Sequence, residues 1–337
     1  IESSKRKARP QGYYALITQR SWMFLSRLES FRSRILSSEW LADLLYLGPD
    51  VFPEVNGEKV QNAAFIFRRS SPLQISTHFT DVSSLAGHRK ADGLKTGSHS
   101  YTLPAKDCLG LPGAPLAFWA SENLIRAFSS EKRVGDFADI RVGLDTGDNA
   151  RFLRSWHEVS LQRTKYDATS QADVSASNAR WVPHSKGGEY RKWFGNLNDV
   201  IAFGQKDYQD LSNQGNKLPS RTHYFREGVF YTRVSSGTAS FRLSPAGTVF
   251  NSASPTAFID KEYFYTVFGL VNSRVSESML LCLSPTLNFQ AGEIRKLPIS
   301  AAVNEQAVEE VVVRAIETAR RDWNDYETSW DFTSLPL

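Results

Sequence analysis

Cysteine is scarce in this chain: two in 337 residues, Cys108 and Cys282, far apart in sequence. A disulfide-stapled scaffold is excluded, and no Cys/His spacing of the metal-binding kind occurs. Two lone thiols fit a reducing compartment, so a cytoplasmic location is expected. Long apolar runs are also missing; none reaches the roughly 20 residues of a membrane-spanning helix. Charge of one sign is lacking as well. Forty Lys and Arg stand against 36 Asp and Glu, a net charge of +4. Bulk charge therefore does not argue for nucleic acid, and only local clustering can. No paired carboxylates and no nucleophile–His–Asp set stand out, which leaves an independent hydrolase the least favoured reading. His78, His88 and His99 have no metal spacing and are expected in exposed loops. The chain opens IESSKRKARP. That is neither a signal peptide nor a start methionine, and the expectation is a chain that begins inside a longer protein.

What is present is a globular composition, 41% hydrophobic and 23% charged, long enough for two domains. The chain is organised around two stretches, 143–156 (GLDTGDNARFLRSW) and 181–196 (WVPHSKGGEYRKWFGN). Both set glycines, basic side chains and tryptophans within a few residues. Gly143 and Gly147 allow backbone shapes that other residues resist. Asp145, Asp148 and Asn149 fix turns through their own backbone. Arg151, Arg154, Lys186, Arg191 and Lys192 suit phosphate, and arginine also reads guanine edges. Gly187 and Gly188 beside Lys186 permit close approach to a phosphate. Arg233, Ser235 and Ser236 make a weaker set of the same kind. Against this stands the plainer reading in which Trp156, Trp181 and Trp193 are core and the basic residues a solvated face.

Periodicity gives the coarse elements. Residues 1–10 are read as a basic, mobile end. Residues 12–18, 40–47 and 60–67 read as strands, with an amphipathic helix over 21–36 in which Arg27, Glu29, Arg32 and Arg34 lie between the apolar positions. Residues 68–115 are polar and expected to connect two domains. Ser121 is placed to cap a short helix, and 134–142 reads as a strand. A surface loop is expected over 157–180 and helix around 200–209. Close turn signals over 225–259 predict a compact antiparallel unit, 263–272 a helix, and 304–323 an amphipathic helix carrying Val308, Val312 and Ile316.

The run QRSWMFLS (19–26) with its helix, and the block DYETSWDF (325–332), resemble the adenine-N6 DNA methyltransferases, in the branch called PglX of the BREX phage-defence systems. The likeness takes in residues 12–67, 116–298 and 303–332. It implies a mixed α+β chain, α/β at its start: the terminal strands and helix of a Rossmann-like methyltransferase sheet (1–70), a connecting region (71–115), an α+β target recognition domain (116–300), and a C-terminal helix and tail (301–337). In that family a glycine-rich turn holds S-adenosylmethionine, and an Asn-Pro-Pro-Tyr loop holds the flipped base. Neither motif is here. Gly143 and Gly147 lack the third glycine and the apolar helix of a cofactor loop. The expectation is therefore no catalytic, cofactor or metal residue in this stretch, with S-adenosylmethionine bound by the whole enzyme and this stretch inactive alone. Double-stranded DNA is the expected partner. The competing reading is a protein-interaction module that docks other defence components or a phage DNA mimic. No membrane partner is expected.

Overall fold

A computed structural model describes residues 1–52, 60–71, 75–97, 99–213, 218–235, 237–285, 288–303 and 305–335. They divide into two compact units, Ile1–Ser129 with Leu281–Pro285, and Ser130–Leu280 with Thr286–Leu337. The class is mixed α+β, as expected.

The first unit opens with helix α1 (Glu2–Lys7), followed by β1 (Tyr13–Gln19), α2 (Glu29–Ser38), β2 (Trp40–Gly48) and β3 (Asn62–Arg68). Then come β4 (Thr77–Asp81), α3 (Lys90–Thr96), β5 (Ser100–Leu103) and α4 (Glu122–Ala127). Among the described residues the strands form one sheet in the order β1-β3-β2-β4-β5. Only β2 and β4 run parallel. Tyr14, Leu44, Phe65, Phe67 and Phe79 point into the core with Trp22, Ile35 and Leu36. The alternation of each strand thus decides which side chains leave water.

Several expectations change here. The basic N-terminus is a helix pinned by Lys5 to Glu39 at 3.0 Å and by Arg34 to Glu2 at 2.6 Å. The helix expected over 21–36 begins only at Glu29; 3₁₀ turns occupy Arg20–Met23 and Ser26–Leu28. Arg32 explains the change. It is fully buried rather than solvent-facing. It donates to the carbonyls of Trp22 (3.0 Å), Leu25 (2.7 Å), Ala114 (2.9 Å) and Gly113 (2.5 Å). One guanidinium fork thereby joins two distant turns. The segment expected as a connection, 71–115, carries β4 and β5 of the same sheet. In β4 only Phe79 is a large apolar residue, and Thr77 donates to the Leu41 carbonyl at 2.5 Å. Polar inward positions hide the strand from a hydrophobicity pattern. Ser121 does cap α4, accepting from the Leu124 amide at 3.3 Å.

The second unit begins with α5 (Val134–Phe137), β6 (Ala138–Arg141), α6 (Asn149–Phe152) and β7 (Leu153–Ser155). It continues with α7 (Gln171–Ala176), β8 (Trp181–Ser185), β9 (Asp199–Ala202), α8 (Gln205–Asn213), β10 (Gly228–Tyr231) and β11 (Phe241–Ser244). The remaining elements are β12 (Val249–Phe250), β13 (Thr256–Ile259), α9 (Phe264–Asn272), α10 (Arg274–Leu283), α11 (Ala291–Arg295) and α12 (Glu305–Asn324). The described strands make two sheets, β11-β10-β13-β6 and β12-β8-β9-β7. The strand expected over 134–142 starts with a helical turn, because Asp136 accepts from the Arg133 amide at 2.7 Å. In place of one helix around 200–209, β9 ends at Ala202 and α8 starts at Gln205. The loop over 157–180 includes α7, capped by Ser170. The unit over 225–259 is antiparallel except for β12, which leaves it to pair parallel with β8. α12 buries Val312, Ile316 and Trp323. Gly269 on α9 lets the two helices approach, since a Cβ there would sit 3.0 Å from Val312.

Arg32→Met is expected to lower the stability of the first unit by about 3 kcal/mol, because four carbonyls lose a charged donor inside the core. Urea titration measures this, and Arg32→Lys should recover only part, since an ammonium cannot span both turns.

Candidate nucleic-acid interface

The two sequence stretches meet across β12. Gly143 lies so close to the Phe250 carbonyl that a Cβ there would sit 1.9 Å from its oxygen. The Leu144 amide donates to that oxygen at 3.1 Å, and the Ser252 amide donates to the Leu144 carbonyl at 3.0 Å. Asp145 accepts from the Ser252 hydroxyl. On its other side β12 pairs with His184 and Ser185 of β8. This packing also tests Gly143 and Gly147 as a cofactor cradle. Gly143 is pressed on a carbonyl and α6 is a single turn, so these residues do not fit S-adenosylmethionine.

β8 leads into the turn Lys186–Tyr190. Gly187 (φ 92°) and Gly188 (φ 125°) hold backbone angles that side-chain-bearing residues avoid. The turn is fixed from behind by Arg242, which is fully buried. Arg242 donates to the carbonyls of Glu189 (3.2 Å) and Arg191 (3.1 Å) and to the Thr232 hydroxyl (2.8 Å). Thr232 in turn donates to the Gly188 carbonyl at 3.0 Å. Burial lowers the Arg242 guanidinium to about 10, still charged at neutral pH, and its face lies 4.6 Å from the Phe230 ring centre.

The basic residues fall into distinct surroundings. Lys186, Gly187, Gly188 and Arg191 line one cleft of about 750 Å³, together with Asn198, Asp199, Trp323 and Tyr326. Lys186 is exposed and makes no hydrogen bond or ion pair among the described residues. Arg233 adjoins Thr232, beside the same turn, and its side chain is likewise unpaired among them. Arg191 is held by Asp322 at 2.8 Å and lies over the Trp323 ring. Lys192 turns to the Asn272 carbonyl at 2.7 Å. Arg151 pairs with Asp210 in a separate cleft that also takes in Arg163 and Arg180. Arg154 donates to the carbonyls of Ala150 and Leu153, both at 2.6 Å. Ser235 accepts from the Gly237 amide at 3.1 Å. Ser236 lies outside the described residues. Trp181 is buried, while Trp156 and Trp193 are partly buried.

Sequence reasoning does not single out Arg242 as the support of the turn, nor Asn198, Asp199 and Tyr326 as cleft residues. Only the block 325–332 gives a signal. Its Tyr326 and Thr328 form a wall of the cleft, and the Thr328 carbonyl accepts from the Trp156 indole at 2.9 Å. Among the described residues no cluster could hold a metal ion, and no helix is long and apolar enough to cross a membrane.

The fold is one found in restriction-modification enzymes. The Type IIL restriction-modification enzyme MmeI, solved in complex with DNA, matches 95% of this chain and 43% of its own with a TM-score of 0.52, at 13% sequence identity. In sequence the chain is 32% identical to adenine-specific methyltransferase PglX of Lacticaseibacillus casei (strain Zhang), over 99% of this chain and 29% of that protein. It is also 32% identical to adenine-specific methyltransferase BrxX of Escherichia coli O9:H4 (strain HS), over 97% of this chain and 26% of that protein. No protein-family model matches. The chain is thus a homologue of part of the PglX and BrxX adenine-specific methyltransferases, and it spans under a third of either.

This geometry makes two outcomes measurable. Arg242→Met should leave four acceptors, the carbonyls of Glu189 and Arg191 and the hydroxyls of Thr232 and Ser240, without their donor and loosen the turn. Hydrogen exchange at the amides of 187–191 should quicken roughly tenfold or more, the equivalent of about 1.4 kcal/mol of lost local stability. His184 supplies a pH dependence. It is fully buried, and burial pushes its imidazole down to about 3. Between about pH 6.5 and pH 3 the unfolded chain binds a proton that the folded chain refuses, so stability falls as pH drops through that window. The urea midpoint of the second unit should be lower at about pH 5 than at about pH 7.5. His223, lowered first by burial, acts in the same sense, so His184→Gln should remove part of the loss rather than all of it.

Proposed function

We propose that this chain is the DNA-recognition part of an S-adenosylmethionine-dependent adenine-N6 DNA methyltransferase acting in bacterial phage defence, in the cytoplasm. Its second unit meets duplex DNA through the turn Lys186–Tyr190, and the methyl donor and catalytic loop belong to residues outside this stretch. One observation carries the reading: an exposed, unpaired Lys186 on two positive-φ glycines, backed by a buried arginine that fixes the turn before any partner arrives. A lysine so placed contacts phosphate, and the bare glycine backbone allows a phosphate to come close. Arg233 extends the contact from the neighbouring segment. Arg191, Lys192, Arg151 and Arg154 keep the roles their partners give them, as supports of the surface more than as first contacts. The names of the relatives and the DNA complex of MmeI support the reading.

A second reading has one observation in its favour. Tyr190 and Tyr326 are 58% and 56% exposed at the same cleft, and exposed aromatics beside cations suit a protein partner with an acidic face.

Duplex affinity measured against salt separates the two. Each phosphate contact removed should flatten the log–log slope by about 0.9, so Lys186→Ala with Arg233→Ala should reduce it by about 2. An unchanged slope would sink the assignment of these residues. Wild-type chain that ignores duplex but captures an acidic protein would favour the second reading.

A further inference from the structure

We infer that Asp199, a half-buried residue lining the Lys186–Tyr190 cleft, accepts a hydrogen bond from the exocyclic amino group of a base, cytosine N4 or adenine N6, in the target duplex. The inference rests on the DNA reading above and names a specificity-determining residue within it.

The carboxylate is anomalous in its surroundings. Other acids beside the basic arms are engaged: Asp322 with Arg191, Asp210 with Arg151, and Asp207 with Arg180 through two hydrogen bonds of 3.1 and 3.2 Å. Glu158, on the adjoining segment, accepts from the Ser155 amide at 2.8 Å. Of the two acids in the cleft whose carboxylates are unengaged among the described residues, Glu189 is exposed to water and Asp199 is the half-buried one. Burial raises its pKa, and Lys186 acts against that rise without reaching it as a partner. A half-buried carboxylate without a donor is destabilising until a donor arrives.

The chemistry of the missing partner is narrow. A phosphate is excluded at this atom, because two anions repel. A neutral N–H donor fits, and in the major groove the exocyclic amines of cytosine and adenine are the donors that protrude from base edges. The position is also rigid. Asp199 opens β9 and stands in register with His184 on one side and Ser155 on the other. Asn198, exposed and with no side-chain bond among the described residues, stands next to it with both donor and acceptor capacity. Tyr326 offers an aromatic face at the cleft wall. The exposed Lys186 and the half-buried Asp199 of one cleft thus divide the work: the cation positions the backbone, and the acid reads an edge.

The experiment uses the 337-residue chain and a pool of duplexes with a randomised centre. Bound sequences are compared for wild type, Asp199→Asn and Asn198→Ala, each measured relative to its own binding of unselected duplex. Wild type is expected to enrich a motif. Asp199→Asn should lose roughly tenfold preference at one base pair, cytosine or adenine on one strand, as expected for a lost base contact. Asn198→Ala should weaken preference at that pair or its neighbour. If Asp199→Asn melts early, Asp199→Glu keeps the charge but moves it, and should shift the preference at the same pair. The same motif at the same strength in all these variants overturns the inference, as does wild-type binding without any sequence preference. Wild-type chain that binds no duplex overturns instead the reading on which the inference rests.

Discussion

The candidate surface depends on one buried cation. Arg242 sits in the core of the second unit with no carboxylate opposite it among the described residues. Its charge is met by two carbonyls, the hydroxyls of Thr232 and Ser240, and the face of Phe230. Such a group is tolerated in an interior when its terminal nitrogens find acceptors, as both do here, while its Nε has none among the described residues. That requirement works in both directions: the carbonyls of Glu189 and Arg191 must face inward, so the backbone between them must bulge outward. Lys186 and Gly188 are displayed because Arg242 anchors the residues just beyond them in the chain. Arg32 does comparable work in the first unit, where one guanidinium closes two turns on each other. Both arginines use a planar fork that a lysine could not replace.

Around that fixed turn the second unit assembles parts remote in sequence. β12 is two residues long, yet it is the seam between stretch 143–156 and stretch 181–196. Gly143 matters for close approach to this seam rather than for holding a ligand. The C-terminal helix adds the remaining wall: its apolar stripe ends in Trp323, which lies under Arg191, and the segment beyond it reaches Trp156. The block 325–332 is thereby structural and cleft-forming at once.

Much of the fold is legible in the chain. β1, β2 and β3, the capped α4, α9 and α12 all carry apolar positions at the spacing their geometry demands, and each is expected within a few residues. The failures have identifiable causes. β4 escapes notice because two of its three buried positions are threonine, Thr77 donating to the Leu41 carbonyl of the neighbouring strand, and β5 has no fully buried position. The start of α2 is misplaced because Arg32 reads as a surface residue, and no local pattern reveals that four carbonyls await it. β9 reads as helix because the four residues Asp-Val-Ile-Ala satisfy either period. Of the site, the turn Lys186–Gly188 can be picked out from its glycines and its charge; the division of the other basic residues cannot.

The sequence by itself determined composition class, the amphipathic stripes and the places where glycine must bend the chain, because these depend on neighbours a few residues apart. Tertiary structure alone decided which cations are engaged and which are not. Arg191 and Asp322, or Arg151 and Asp210, are partners only after folding has brought distant segments within a few ångströms. The same holds for Asp199, whose lack of a partner is a property of the cleft and not of the strand it opens. Ion pairing depends on distance in space, and chain order does not encode that distance.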